Sequence, residues 1–208
     1  MSRPGTVDAV LLRVRIDEAR DLAYDLLRDV GDRWQHTQRV ARCAEDLSPS
    51  VAPADRIILV AADWLHDIGY NPQIATLGFH PVDGAAFLDW LGWPRRVGGL
   101  VAHHSGARHV AHARGLDHLL AAYPDERSAV SDALAYADQT TGTRGQPMRI
   151  GHRIAATLRR HGPDSVNAQV APVRIPDLLA SGRRVEARLI SRPPPMMASD
   201  GPRITEVG

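Results

Sequence analysis

The segment Ile58-Leu59-Val60-Ala61-Ala62-Asp63-Trp64-Leu65-His66-Asp67-Ile68-Gly69 decides how the rest of the chain is read. Ile58, Ala62 and Leu65 recur at helical spacing and form an apolar stripe that runs directly into His66 and Asp67, with Asp63 one turn before Asp67. Ionisable groups thus sit on a face that should be dry. The conflict recurs in three other segments. His36 continues the stripe Val40, Cys43 and Leu47; Val97, Leu100 and Val101 carry His104 inward with His103 beside it; and Asp138 extends the inner face of Val130, Leu134 and Ala137.

Taking a carboxylate out of water costs several kcal/mol unless it gains a cation or several donors. No Arg lies on these inner stripes, whereas His36, His66 and His104 do. Imidazole with carboxylate is the ligand set of Zn, Fe, Mn, Co or Ni, so a divalent transition metal, one ion or two, is the economical way to neutralise Asp67 and Asp138. His80 precedes Pro81 at a helix start, where a side chain can project into a shared pocket; Gly84 and Ala85 leave room for close approach, and His80 joins the candidate ligands. Of ten histidines, six fall between His80 and His118, a clustering that a purely structural role does not require. His109, His112, His118, His152 and His161 have no comparable placement and read as surface or capping residues. Cys43 reads as a small buried hydrophobe, and Trp34, Trp64, Trp90 and Trp93 as packing residues.

Working outward, apolar spacing near 3.6 recurs along most of the chain and alternating patterns are few, so the fold class is all-α. Helices are predicted over about 17–29, 33–47, 54–68, 81–91, 95–104, 127–141 and 147–161, with a last one from about Ile175 to Ile190; Val7 to Ile16 is ambiguous between helix and strand. The 208 residues, 44% apolar and 24% charged, suit one core with an appended tail. No apolar run is long enough for a membrane span, and Met1 to Thr6 lack the features of an export signal, so the expected compartment is the cytoplasm. One cysteine excludes an internal disulfide. Every one of the 25 cationic side chains is Arg, which excludes Schiff-base chemistry and a P-loop lysine. Up to Thr141 there are 14 Arg against 19 acids, and beyond it 11 against 5, so the carboxyl third is basic.

The order His36, His66-Asp67, Asp138 resembles the H…HD…D signature of the HD-domain metal-dependent phosphohydrolase superfamily, and His66-Asp67-Ile68-Gly69 matches its HDIG form. His36-Thr37-Gln38-Arg39-Val40 is similar to the family's first-histidine helix. The resemblance implies a bundle of five or more helices with a metal site in the interior, held by His36, His66, Asp67 and Asp138. The resemblance covers the domain at 33–141; the flanking sequence reads as an N-terminal helical extension over 1–32, basic helices packing on the domain over 142–191 and, from Arg192-Pro193-Pro194-Pro195 onward, a flexible tail over 192–208 that cannot bury enough apolar surface to order itself. His80 and the pair His103-His104 are similar to the H…HD…H…H…D pattern of binuclear branches, in which Asp67 would bridge two metals. Several branches carry a lysine soon after the doublet; here Tyr70 and Asn71 follow Gly69.

The function implied is hydrolysis of a phosphoester, in a nucleotide or small phosphomonoester or diester, by a metal-activated water, with His66 and Asp67 as the catalytic pair. Arg39, one turn after His36, and Arg108 and Arg144, in loops after the His pair and Asp138, are the candidates for gripping phosphate. Two alternatives stand beside it. Binuclear members of the superfamily include di-iron oxygenases acting on a small polyol or phosphonate with the same ligands. A non-catalytic, metal-stabilised module could instead dock an acidic partner through Arg149, Arg153, Arg159, Arg160, Arg183 and Arg184, with Arg149, Arg153 and Arg160 on one exposed stripe. No stacking aromatics interleave with that stripe, which ranks nucleic acid well below an enzyme's small substrate.

Overall fold

The computed structural model describes residues 5–191, with side chains from residue 16 onward; the tail proposed over 192–208 lies outside the described residues. Among the described residues the fold is all-α, and the only β-type pairing is an isolated bridge between Thr141 and Pro147.

The helix α3 (Arg56–Leu65) is the axis of the molecule. Leu59 to Leu65 are buried without a break, the pattern of a helix enclosed on all sides. It is covered by α1 (Gly5–Leu27), α2 (Arg33–Leu47), α5 (Arg95–His103) and α8 (Ala129–Gln139). From α1, Ala19, Ala23 and Leu27 are buried against the core at four-residue intervals, and from α2, Val40, Ala41, Ala44 and Leu47 are buried there on one helical face. Each fully buried leucine here, such as Leu59 or Leu65, contributes about 1.5–3 kcal/mol through the apolar area removed from water. A second cluster of Phe79, Val82, Ala85, Ala102, Ala107, Ala111 and Leu120 ties α4 (His80–Trp90) and α5 to α6 (Ala107–Ala113) and the single turn α7 (Asp117–Leu120).

Several expectations change here. The ambiguous stretch Val7 to Ile16 belongs to α1. The short helices α6 and α7 were not among those predicted from the sequence. The helix α9 (Ile150–His161) follows the prediction, but the last helix, α10 (Val166–Ile190), begins well before Ile175 and carries Pro172 and Pro176 inside it. Its start is held by the Ser165 hydroxyl, which accepts from the Ala168 N–H at 3.2 Å, and its body packs on α6, α8 and α9, so tertiary contacts outweigh the donors lost at the prolines. Trp90 is not core: it is 77% exposed and stacks on Phe87. No described helix is long and apolar enough to cross a membrane.

Candidate metal centre

The ends of five helices deliver the ionisable residues to one place. α3 ends at Leu65, and the chain turns through His66 and Asp67 into a short 3-10 segment, Ile68–Tyr70. His80 is the first residue of α4, and its position is fixed by Asp83, whose buried carboxylate accepts the N–H groups of Thr76, Leu77 and Phe79 and the Thr76 hydroxyl at 2.8–3.1 Å. His104 lies just past the end of α5, where Ser105 (φ +49°) and Gly106 (φ +71°) reverse the chain in the left-handed region. Asp138 is in the last turn of α8, a helix begun by a capping box between Ser128 and Ser131. His36, near the start of α2, completes the group.

Asp67 is the hub. One of its oxygens, Oδ1, stands 3.5 Å from His66 Nε2 and 3.5 Å from His80 Nε2; the other, Oδ2, stands 3.8 Å from His36 Nε2. His36 Nε2 is also 3.1 Å from Asp138 Oδ1, and the Nε2 atoms of His80 and His104 are 3.3 Å apart. Two triads share Asp67: His36 with His66, and His80 with His104. Metal bonds of about 2.1 Å place neighbouring ligand atoms roughly 3.0 to 3.5 Å apart, so these separations suit donors around an ion.

The protons point the same way. His36 Nδ1 donates to the Gly142 carbonyl at 2.9 Å, His66 Nδ1 to the Asp63 carbonyl at 2.7 Å, and His104 Nδ1 to the Val101 carbonyl at 2.6 Å. In a neutral ring that leaves the Nε2 lone pair inward, and all three aim at carboxylates or at one another. His66 Nε2 is buried with no hydrogen-bond partner. Burial holds the His66 ring below its usual pKa and the His80 ring well below it, so neither accepts a second proton readily. Burial works against ionisation of Asp67 and Asp138, but His66, Arg33, His80 and His36 around the first, and His36 and Arg153 around the second, keep both carboxyls well below the ordinary range. Lone pairs converging on two carboxylates are a donor set that fits a divalent transition metal.

A family model described as the HD domain matches residues 33–143, more than half of the chain. The chain belongs to the HD-domain family. No curated protein and no solved structure gives a significant match. The HD doublet is His66-Asp67, and the buried groups of this HD domain could hold metal in the way that the family, a superfamily of metal-dependent hydrolases, implies.

The structure does not bring every expected residue to this centre. His103 turns away, with Nε2 3.1 Å from the Tyr123 carbonyl, because one residue along a helix rotates the side chain by about 100° from its neighbour; His104 alone of the pair reaches the cluster. The three arginines expected to grip phosphate are elsewhere. Arg39 lies beside the Gly145 turn, Arg108 pairs with Asp177 at 2.6 Å, and Arg144 is an exposed partner of Asp32 at 3.4 Å. Other arginines take their place around a cavity of about 270 Å³ that opens onto Asp67, His80, His104 and Asp138: Arg33, Arg114, Arg153, Arg160 and Arg174.

These residues correct the premise that no Arg faces the inner acids. Arg33 Nη1 is 2.9 Å from Asp67 Oδ2, and its guanidinium lies 3.6 Å above the Tyr70 ring, which in turn stacks on His80 at 3.9 Å. Arg153, placed on an exposed basic stripe by its spacing, is buried, with Nη2 3.7 Å from Asp138 Oδ1. Asp138 Oδ2 also accepts from the Ser105 hydroxyl and from Gln139 Nε2, the latter at 2.8 Å. Arg184 and Arg188 clasp Asp132 on α8 at 2.5 to 2.9 Å, so part of the basic carboxyl third is internal cement. Arg33 was legible in principle, one turn before His36; Arg153, Arg160 and Arg174 were not, because only the folding of α9 and α10 over the HD domain brings them near.

Proposed function

We propose that this protein is a metal-dependent phosphohydrolase acting on a small phosphorylated substrate. One observation carries the reading: the cavity lined by His80, His104 and the carboxylates of Asp67 and Asp138 is lined as well by five guanidiniums. Guanidinium forks suit the oxygens of a phosphate, and a neutral polyol would leave them unused, which favours the hydrolase over an oxygenase acting on a polyol. The burial of Arg153 and the internal pairing of Arg184 with Asp132 likewise weigh against a docking module built on that basic surface.

His36, His66, Asp67 and Asp138 would hold one ion, and Asp67, His80 and His104 a second, with Asp67 shared. Bound there, divalent metal supplies a water of lowered pKa and charge neutralisation at phosphoryl oxygens. Around it, Ser105, Gln139 and Arg153 fix the Asp138 carboxylate, while Arg33 fixes that of Asp67. The Tyr70 hydroxyl, whose pKa is pushed up to about 12 by burial and by the Asp67 charge, stays protonated and can donate to a substrate oxygen. Phe79, Ile154 and Leu158 in the cavity wall limit water.

The test is elemental analysis of the purified protein, then a panel of nucleotides, sugar phosphates and phosphodiesters under anaerobic conditions with Mn or Co, beside Asp67→Ala. The expected result is phosphate release by the wild type and loss of both metal and turnover in the variant. Iron content with oxygen consumption and no phosphate release would replace this reading with the oxygenase one, and full metal stoichiometry in Asp67→Ala would remove the shared-ligand arrangement.

A further inference from the structure

The cavity carries more positive charge than one reacting phosphate requires. Of its five guanidiniums, Arg33 faces Asp67 and Arg153 faces Asp138, and these are the only two acids in the lining. Arg114 rests on the carbonyls of Leu77 and Gly78 at 3.2 and 2.8 Å. Arg174, half-buried, is held in place by the Ser105 carbonyl and Asn167 Oδ1, each at 2.9 Å, with no carboxylate partner. Arg160 has neither a hydrogen bond nor an ion pair among the described residues, and it lines both this cavity and an adjoining groove of about 420 Å³ that it shares with Arg33. Arg160 is exposed, yet partial desolvation and then the neighbouring guanidiniums Arg153 and Arg33 make its charge less comfortable, and burial does the same for Arg174.

Arg160 and Arg174 sit on α9 and α10, beyond the 33–143 span that the HD-domain model matches, so they belong to what this chain adds to the family core. A guanidinium held on neutral carbonyl and amide oxygens, as Arg174 is, or left without a side-chain partner, as Arg160 is, keeps its full charge to offer, and a wall of such groups is completed by an anion. A carboxylate brings one negative charge, whereas a phosphate monoester brings about 1.5 to 2, which matches the surplus better.

We propose that Arg160 and Arg174 form a docking site for a second, non-reacting phosphate, so that the substrate is a small bisphosphate whose two phosphates are split between the metal centre and the α9–α10 wall. Ile154, Leu158, Ile175 and Leu178 line the same cavity and give the carbon scaffold between the phosphates an apolar surface. The proposal rests on the phosphohydrolase reading for the identity of the reacting group, but the docking site itself does not.

The experiment compares pairs that differ by one phosphate: glycerol 3-phosphate with glycerol 1,3-bisphosphate, glucose 6-phosphate with glucose 1,6-bisphosphate, and adenosine 5′-monophosphate with adenosine 3′,5′-bisphosphate. Affinity is read by calorimetry on the full chain as purified, and KM wherever turnover occurs. For at least one scaffold the wild type is expected to prefer the bisphosphate by about tenfold or more, the worth of one or two charge-assisted hydrogen bonds. Arg160→Ala and Arg174→Ala should each remove that preference, Arg160→Lys should keep part of it, and Arg39→Ala, which lies outside the cavity, should keep all of it. Circular dichroism of each variant confirms that it is folded. Equal affinity within all three pairs, or a preference that survives both alanine variants, overturns the proposal. An Arg160-dependent preference with no hydrolysis of any probe upholds the docking site and overturns the phosphohydrolase reading; hydrolysis without preference does the reverse.

Discussion

Gly69 packs its α-carbon against the first turn of α4 so closely that a Cβ there would lie 2.0 Å from the His80 carbonyl oxygen and 2.7 Å from the Gly84 amide nitrogen. The final glycine of the His-Asp-Ile-Gly run therefore acts at a distance in sequence: it lets the turn after Asp67 touch the start of α4 and so sets the reach of His80. Gly69→Ala should force the two segments apart. The expected loss of stability is about 3 kcal/mol, or about 6–12 °C in Tm for a chain of this size, with weaker metal binding than wild type even where the variant is folded. Thermal melting beside metal titration checks it; an unchanged melt would mean that the contact relaxes at no cost.

Ser105 is a positioning residue. Its left-handed backbone, unusual for a residue with a side chain, turns the hydroxyl onto Asp138 Oδ2. Ser105→Ala removes that donor from a buried carboxylate and should lower metal affinity by about 10- to 100-fold, as is usual when a partner behind a ligand is lost. Ser105→Gly, which relieves the backbone but also lacks the hydroxyl, should weaken metal binding to a similar degree. Recovery of affinity in the glycine variant would assign the effect to strain instead.

The metal-free protein should lose stability as pH falls below about 6.5. Burial lowers the His80 pKa in the fold, so between the folded and unfolded values the unfolded chain takes up a proton that the folded chain refuses, and stability rises with pH across that window. His80→Gln removes this contribution. Melts of chelator-treated protein from pH 8 to pH 5 should show a shallower decline for the variant than for the wild type. Parallel curves would mean that His80 is protonated as easily inside the fold as outside it.

Asp63 runs in the opposite direction. It is fully buried, neither carboxylate oxygen has a hydrogen-bond partner, and burial together with the Asp138 charge raises its pKa well above the ordinary value. The folded state keeps a proton that the unfolded chain releases above about pH 4, so this group withdraws stability as pH rises toward its folded pKa. Asp63→Asn, neutral at every pH and nearly the same shape, should gain on the wild type as pH rises above about 4 toward the folded pKa. Its backbone carbonyl still accepts from His66 Nδ1, so metal binding should persist.

The sequence by itself determined the helical class and which ionisable residues turn inward, because both are written in local periodicity: a helix repeats every 3.6 residues, so His36, His66, Asp67, His104 and Asp138 betray themselves by landing on apolar stripes. It also marked Gly69 and His80, through a short motif and a helix start. Tertiary structure alone decided which cations surround those acids. Arg33, Arg153, Arg160 and Arg174 reach the cavity, while Arg39, Arg108 and Arg144 do not, and apart from Arg33, one turn before His36, nothing in their sequence neighbourhood distinguishes the two groups. The reason is physical. An apolar stripe is imposed by burial and repeats along a single helix, whereas a long, flexible guanidinium is placed by whichever helices fold across one another, and that crossing has no period in the chain.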